Sequence, residues 1–292
     1  MPAKHGEVWK LKNGFKAKPR QLVPEASAIA LAGLLTYVLR TSSTNIEPIT
    51  IFPETASGVT LNAGIFVVLM AAAGTVMYLF VKFGFKRIVR YLIDFALLFL
   101  TLFLFNWYGS LYSAYLPPIL ASDLNWMLVS IAATTILALT IFRARGRVHL
   151  IGIVVLGGLT GTFLGVSIPS LTAIALLVAL AGYDLFAVYR GPIGKIAKST
   201  DLEDFTGAVF SYGDLTVGMG DMVFYSMLAS MSMMNFGLLP YAGAAVGVVL
   251  GAFLGFKMLE GREMFPGLPF AITLGLGLMF IVYGVLTLLP GH

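Results

Sequence analysis

The stretch that decides the fold is residues 169–189, which read PSLTAIALLVALAGYDLFAVY. A helix needs about 20 mostly apolar residues to cross the hydrocarbon core of a bilayer. This stretch meets that length and carries a single carboxyl group, that of Asp184. An acid deep in a bilayer costs at least about 2.5 kcal/mol on the most lenient insertion scale. The segment therefore predicts a transmembrane helix, and its acid needs a partner, a water-filled cavity or a function.

The rest of the chain repeats this apolar character. Of its 292 residues, 58% are hydrophobic and only 11% are charged, with a mean hydropathy of +0.90. Soluble domains are about a quarter charged, so this chain lacks the polar surface of a soluble globule. We predict an all-α fold, a polytopic membrane protein with nine transmembrane helices at about 24–41, 60–82, 88–110, 125–142, 148–166, 169–189, 217–235, 240–257 and 268–289.

The basic residues give the orientation of these helices. In a strictly alternating topology, eighteen of the nineteen Lys and Arg fall on one side of the membrane, and Arg40 is the exception. Because loops rich in Lys and Arg stay in the cytoplasm, we expect a cytoplasmic N-terminus and an external C-terminus in a cell membrane. The chain then divides into a basic N-terminal segment (1–23), helices one to six (24–189), a cytoplasmic loop (190–216) and helices seven to nine (217–292).

Several chemistries are excluded by what the sequence lacks. It contains no cysteine, only three histidines, no HExxH motif and no GxSxG motif. Thiol, zinc and Ser-His chemistry are therefore not expected, and we expect neither a metal nor an organic cofactor. The basic residues are scattered in small clusters, so nucleic acid is not an expected partner either. Any hydrolysis has to be performed by carboxylates.

Most acids lie in loops or near the ends of spans, and three lie further inside the apolar stretches: Asp94, Asp184 and Asp221. Asp94 follows Arg90 by one helical turn near a membrane surface, and an i,i+4 pair explains it. Asp184 and Asp221 lie on consecutive antiparallel helices at similar depth in the cytoplasmic half, with no cation nearby in the sequence. Two carboxyls brought together at low dielectric share a proton, which lets one act as base and the other as acid. The pair fits an aspartyl protease, a proton-coupled transporter or ion-leak channel, or a structural hydrogen bond.

The glycines before Asp221 add to this pattern. Gly218 and Gly220 flank Met219, and their missing side chains would let the seventh helix approach the sixth, or let a substrate backbone approach Asp221. Glycines at every fourth residue, in 157–165 and 243–255, predict smooth helix faces for close packing.

These motifs resemble those of the GxGD intramembrane aspartyl proteases, the presenilin and signal peptide peptidase family. Tyr183-Asp184 is similar to the YD motif, and Gly218-Met219-Gly220-Asp221 to GxGD. Pro266-Gly267-Leu268, followed by Pro269, resembles the PAL motif, with Gly in place of its Ala. The three motifs occur in order on spans six and seven and at the head of span nine. The N-terminal half resembles the family by topology only.

The resemblance implies a function for each motif. Asp184 and Asp221 would be the catalytic pair that hydrolyses peptide bonds of transmembrane proteins or peptides, and Tyr183 and 218–220 would support them. Residues 266–269 would shape the site and dock the substrate. The cytoplasmic N-terminus favours the presenilin orientation over that of signal peptide peptidases. Animal presenilins cut themselves in a long loop between spans six and seven. Here only residues 190–216 intervene, so the resemblance implies no autocleavage and an intact, single-subunit enzyme of prokaryotic type. The acidic cluster in this loop (201–204) is typical of a solvated loop.

Overall fold

The structure is a computed structural model, and it describes most of the membrane-embedded chain. The described residues are 16–42, 46–112, 115, 117, 119, 122–189, 209–212, 215–260 and 265–289. Most of the basic N-terminal segment (1–15) and most of the expected cytoplasmic loop (190–208), including its acidic cluster, lie outside the described residues.

The described residues form nine α-helices. They are α1 (Val23–Thr41), α2 (Ala56–Lys82), α3 (Lys86–Tyr112), α4 (Asp123–Phe142), α5 (Arg147–Ser167), α6 (Ser170–Tyr189), α7 (Met219–Asn235), α8 (Leu238–Leu259) and α9 (Leu268–Leu288). Eight of them are long and apolar enough to cross a membrane, and the remaining one, α7, has 17 residues. The expected all-helical class of a multi-pass membrane protein is confirmed.

Local sequence explains where several helices begin. The Thr55 side chain accepts a 3.1 Å hydrogen bond from the Gly58 amide at the start of α2, and Ser122 accepts one from Asn125 at the start of α4. These side-chain oxygens satisfy amides that have no partner within the first turn of a helix.

The outer helices present apolar side chains to the surroundings. Val68 on α2, Phe95 on α3 and Ile136 on α4 are each at least 64% exposed. Apolar surface on this scale marks contact with a membrane rather than with water. Together with the length of the helices, it makes the chain an integral multi-pass membrane protein.

Helix α7 runs through the middle of the bundle. Nearly every residue from 222 to 233 is buried, because α1, α5, α6, α8 and α9 all pack against this helix. The hydroxyl groups of this helix are therefore surrounded by other helices. Ser230, for example, donates a 3.3 Å hydrogen bond to the Thr162 hydroxyl of α5. A helix surrounded by protein can carry polar residues and a carboxylate that a lipid-facing helix could not.

The glycine strips lie where helices approach closely. A Cβ atom at Gly165 of α5 would lie 2.5 Å from the Met227 carbonyl oxygen of α7. A Cβ atom at Gly251 of α8 would lie 2.5 Å from the Ala271 Cα of α9. Gly255, at the end of the second strip, faces open space among the described residues. The strips thus hold α5 against α7 and α8 against α9.

A small antiparallel sheet stands where the sequence predicted a loop and the first residues of a helix. Strand β1 (Val209–Tyr212) pairs with β2 (Leu215–Gly218), with Val209 opposite Gly218. We expected the seventh helix to begin at 217, but residues 217 and 218 pair in the sheet and the helix begins at Met219.

Candidate active site

Asp184 lies near the end of α6, on a helix that packs against α2 and α9. Its side chain is partly exposed, and its Oδ2 atom accepts a 3.1 Å hydrogen bond from the backbone amide of Leu268. Leu268 is the first residue of α9, where backbone amides lack partners within the helix. The carboxylate therefore caps α9 from another helix, at the end where the helix dipole favours a negative charge.

Asp221 lies in the first turn of α7, immediately after the sheet. Gly218 is at once the last residue of β2 and the N-cap of α7, with extended backbone angles (φ −74°, ψ 139°). Strand β2 is thus connected without a loop to the helix that carries Asp221. The side chain of Asp221 is partly exposed.

The two carboxyl groups meet at the start of α9. A Cβ atom at Gly267 would lie 2.5 Å from Asp221 Oδ2, so this glycine is in direct contact with the second aspartate. Its neighbour Leu268 binds Asp184. The two aspartates also interact electrostatically with each other. Of the residues predicted from the sequence, the structure brings together Asp184, Asp221, Gly267 and Leu268.

The prolines around this contact shape the start of α9. Pro269 is the second residue of the helix, where its missing amide costs nothing, and Gly267 is the N-cap. Pro269 has no amide hydrogen, and Asp184 takes its 3.1 Å hydrogen bond from the preceding residue, Leu268. Pro266 precedes the cap and lies outside the helix.

Tyr225 was missed by the sequence analysis. It follows Asp221 by one helical turn, it is 2% exposed, and its hydroxyl donates a 3.1 Å hydrogen bond to the Gly267 carbonyl oxygen. The hydroxyl also lies in electrostatic range of Asp221 and Asp184. The spacing of four residues from Asp221 was the signal that could have identified it.

The residues predicted to support the aspartates, Tyr183 and 218–220, lie in different surroundings. The Tyr183 hydroxyl faces α2, where a Cβ atom at Gly74 would lie 3.6 Å away. Met219 packs into the core formed by α3, α4 and α5. A Cβ atom at Gly218 would meet nothing within 4 Å in the described part of the chain, and one at Gly220 would meet only the Phe224 ring at 4.0 Å. The sequence suggested that these glycines let α7 approach α6 or let a substrate approach Asp221. Helix α6 does not lie against them, whereas the space beside them is open within the described part of the chain.

A third acid lies near the aspartates. Glu25, in the first turn of α1, is 0% exposed, and α1 packs against the helix that carries Asp221 and Tyr225. The sequence did not identify Glu25 as a site residue, because an acid at the start of an apolar stretch normally lies at the membrane surface. Asp94, by contrast, lies away from this group on α3, one helical turn after Arg90.

This arrangement can perform acid-base chemistry on water. Two carboxyls of different surroundings, one accepting an amide and one in contact with Gly267, lie at one helix start, and both residues are partly exposed. Among the described residues, no group of three His, Cys, Asp or Glu side chains could hold a metal ion.

Solved structures with the same overall fold are presenilin family intramembrane aspartate proteases. One, in space group C222, has a TM-score of 0.63 and 20% identity over 90% of this chain and 99% of its own. Another, in space group P2, has a TM-score of 0.61 and 24% identity over 91% and 98%. This chain therefore has the fold of those proteases.

A curated relative points in the same direction. Presenilin-B of Dictyostelium discoideum is 30% identical over 130 residues, which is 41% of this chain and 27% of that protein. The chain thus matches about a quarter of the length of this relative. No protein-family model matches the chain.

Proposed function

We propose that this chain is an intramembrane aspartyl protease of the presenilin family, which hydrolyses peptide bonds within the transmembrane segments of protein or peptide substrates. The observation that carries the proposal is that Asp184 and Asp221 contact adjacent residues, Leu268 and Gly267, at one helix start. The fold shared with presenilin family proteases supports it.

The aspartates act as an acid-base pair that shares one proton. The Leu268 amide favours the ionised form of Asp184, since a hydrogen bond donated to a carboxylate is a charge-assisted one. The proton then lies on Asp221. Asp184 takes a proton from a water molecule, the resulting hydroxide attacks the substrate carbonyl carbon, and Asp221 protonates the carbonyl oxygen. Collapse of the tetrahedral intermediate passes a proton to the leaving nitrogen and restores the pair.

The substrate has to present an unwound peptide bond. A helix hides its carbonyl groups in internal hydrogen bonds, so the cleaved segment must be extended where it meets the aspartates. Within the described residues, β1 and β2 form a two-stranded sheet that ends at the α7 N-cap, three residues before Asp221. An extended substrate can add to an edge of this sheet through main-chain hydrogen bonds. Residues 266–269 form the opposite wall, and the open space at Gly218 and Gly220 admits the substrate backbone.

The location follows from the charge distribution. With the N-terminus in the cytoplasm, the C-terminal end of α6 and the start of α7 lie on the cytoplasmic side of a cell membrane. Water reaches the aspartates from that side. The partners are then membrane lipid and transmembrane segments.

The test is cleavage by the purified protein in liposomes. A single-span substrate peptide is incubated with wild type, Asp184→Asn, Asp221→Asn and Asp94→Asn, and the products are identified by mass spectrometry. Cuts within the apolar span are expected from wild type and from Asp94→Asn, an acid outside the pair. Both other variants should lose cleavage while keeping the wild-type elution profile and thermal midpoint.

A different result would contradict the proposal. If folded wild type cuts none of several single-span peptides, and instead carries an ion flux that Asp184→Asn and Asp221→Asn abolish, the carboxyls serve transport. Cleavage that persists in either variant would show that the pair is not catalytic.

A further inference from the structure

Glu25 is the most completely buried acid near the site. It is 0% exposed, and both of its carboxyl oxygens are without a hydrogen-bond partner among the described residues. An acid in the first turn of a helix normally points to solvent or accepts an amide of that turn. Glu25 does not reach solvent, and the only amide of this turn that acts on its carboxyl is its own, so the position of its helix turn does not explain its complete burial. A buried polar group without a partner costs several kcal/mol if charged, and such groups call for an explanation.

The packing of three helices brings Glu25 to the aspartates. Adjacent glycines of α5 face α7 and α1: a Cβ atom at Gly157 would lie 3.1 Å from Met222 Cβ, and one at Gly158 would lie 3.4 Å from the Ala28 carbonyl oxygen. Met222 follows Asp221, and Glu25 precedes Ala28 by one turn on the buried face of α1. Helices α1 and α7 also pack directly against each other, so Glu25 and Asp221, each in the first turn of its helix, lie at the same end of the bundle.

The groups around Glu25 are acids and a phenol. On the packed helix α7 the titratable side chains are those of Asp221 and Tyr225. The Tyr225 hydroxyl in turn hydrogen-bonds the Gly267 carbonyl oxygen, next to the Leu268 amide that binds Asp184. The three carboxyls are not arranged to hold a metal ion.

Cations on the neighbouring elements are occupied elsewhere or exposed. Lys257 of α8 lies 5.4 Å over the Phe253 ring, and Arg20, before α1, is exposed. His149 of α5 hydrogen-bonds the Ile141 carbonyl oxygen at 2.8 Å. Within the described chain, therefore, no cation pairs with Glu25, and burial disfavours the ionised form of its carboxyl.

We propose that Glu25 is a third acid of the site, a positioning residue whose carboxyl is coupled to Asp221 and keeps the shared proton on the aspartate pair over a wider pH range. The proposal rests on the proposed protease function. When the cluster loses protons as pH rises, a charge on Glu25 makes removal of the last proton from the pair harder, because like charges repel. The aspartates then keep their active, singly protonated form to higher pH.

The activity test compares pH profiles of peptide cleavage. Glu25→Gln keeps the size and neutrality of the side chain but cannot ionise, whereas Glu25→Asp keeps an acid. Ser130→Ala is the matched control, since Ser130 carries a buried hydroxyl on α4 that has no hydrogen-bond partner among the described residues. We expect the alkaline limb to move about one pH unit lower in Glu25→Gln, as removal of one coupled charge would give. Glu25→Asp should move it less, and Ser130→Ala not at all. Superimposable profiles for wild type and Glu25→Gln would overturn the proposal.

A second measurement needs no cleavage. Infrared spectra of protein with ¹³C-labelled glutamate separate a protonated carboxylic acid from a carboxylate. We expect a protonated glutamate at neutral pH that is absent from Glu25→Asp and that titrates at lower pH in Asp221→Asn. The coupling would be overturned if this signal were absent, or if its titration were the same in wild type and Asp221→Asn. Either result can be obtained even if Glu25→Gln does not fold. If wild type cleaves nothing but this signal responds to Asp221→Asn, the protease function fails and the coupling stands.

Discussion

The hydroxyl of Tyr225 donates a 3.1 Å hydrogen bond to the carbonyl oxygen of Gly267, so the helix that carries one aspartate is tied to the segment that contacts both. The carboxyls lie on α6 and α7, and the start of α9 is their shared neighbour. Movement of α9 would change the surroundings of both acids together, which makes this hydrogen bond a determinant of the geometry of the site.

Tyr225→Phe should therefore lower peptide cleavage without unfolding the protein. It removes one buried hydrogen bond, with a net value of about 1 kcal/mol, and we expect a loss of roughly fivefold in kcat/KM. Tyr241→Phe is the control, because its hydroxyl bonds the Ile29 carbonyl oxygen at 3.3 Å, away from the aspartates. Equal activity of Tyr225→Phe and wild type would contradict a positioning role.

Arg40, the basic residue outside the charge pattern, has a structural explanation. Its Nη1 atom donates a 2.6 Å hydrogen bond to the Met233 carbonyl oxygen in the last turn of α7, where the helix dipole favours a cation. Arg40→Ala should lower the free energy of unfolding by about 1 kcal/mol. Arg40→Lys should recover part of this loss in thermal unfolding followed by circular dichroism, and no loss for Arg40→Ala would count against the contact.

Replacing Gly251 of α8 by alanine should destabilise the protein, whereas the same change at Gly255, one turn later, should not. A Cβ atom at Gly251 would lie within 2.6 Å of Ala271 backbone atoms, and one at Gly255 would meet nothing within 4 Å in the described part of the chain. Gly251→Ala forces α8 and α9 apart, and overpacking of this kind costs about 1–3 kcal/mol. Thermal midpoints should fall for Gly251→Ala only, and an equal fall in both variants would mean that helix separation is not the cause.

The sequence predicted the helices and the two aspartates because both signals are local. Apolar length decides whether a helix spans, and an acid inside an apolar stretch is visible by itself, as at Asp184. The strand 215–218 was missed because its apolar residues continue into α7. The alternation in 209–218 around Gly213-Asp214 was the available hairpin signal. Glu25 could not be predicted, since its burial depends on which helices surround α1.

Gly267→Ala tests whether the space next to Asp221 sets activity. The family motif has Ala at this place, but here a Cβ atom would lie 2.5 Å from Asp221 Oδ2 and 3.2 Å from its Cγ. The carboxyl group would have to turn away, and we expect cleavage to fall by about tenfold, since small misplacements of reacting groups are costly.

The control for this change lies on the same helix. Gly277→Ala also adds one methyl group to α9, but its Cβ atom would meet nothing within 4 Å among the described residues. It should leave cleavage unchanged and raise the thermal midpoint slightly, because Ala favours a helix over Gly. Cleavage by Gly267→Ala at the wild-type rate would mean that Asp221 shifts freely. The contact between Gly267 and Asp221 would then not position the catalytic pair.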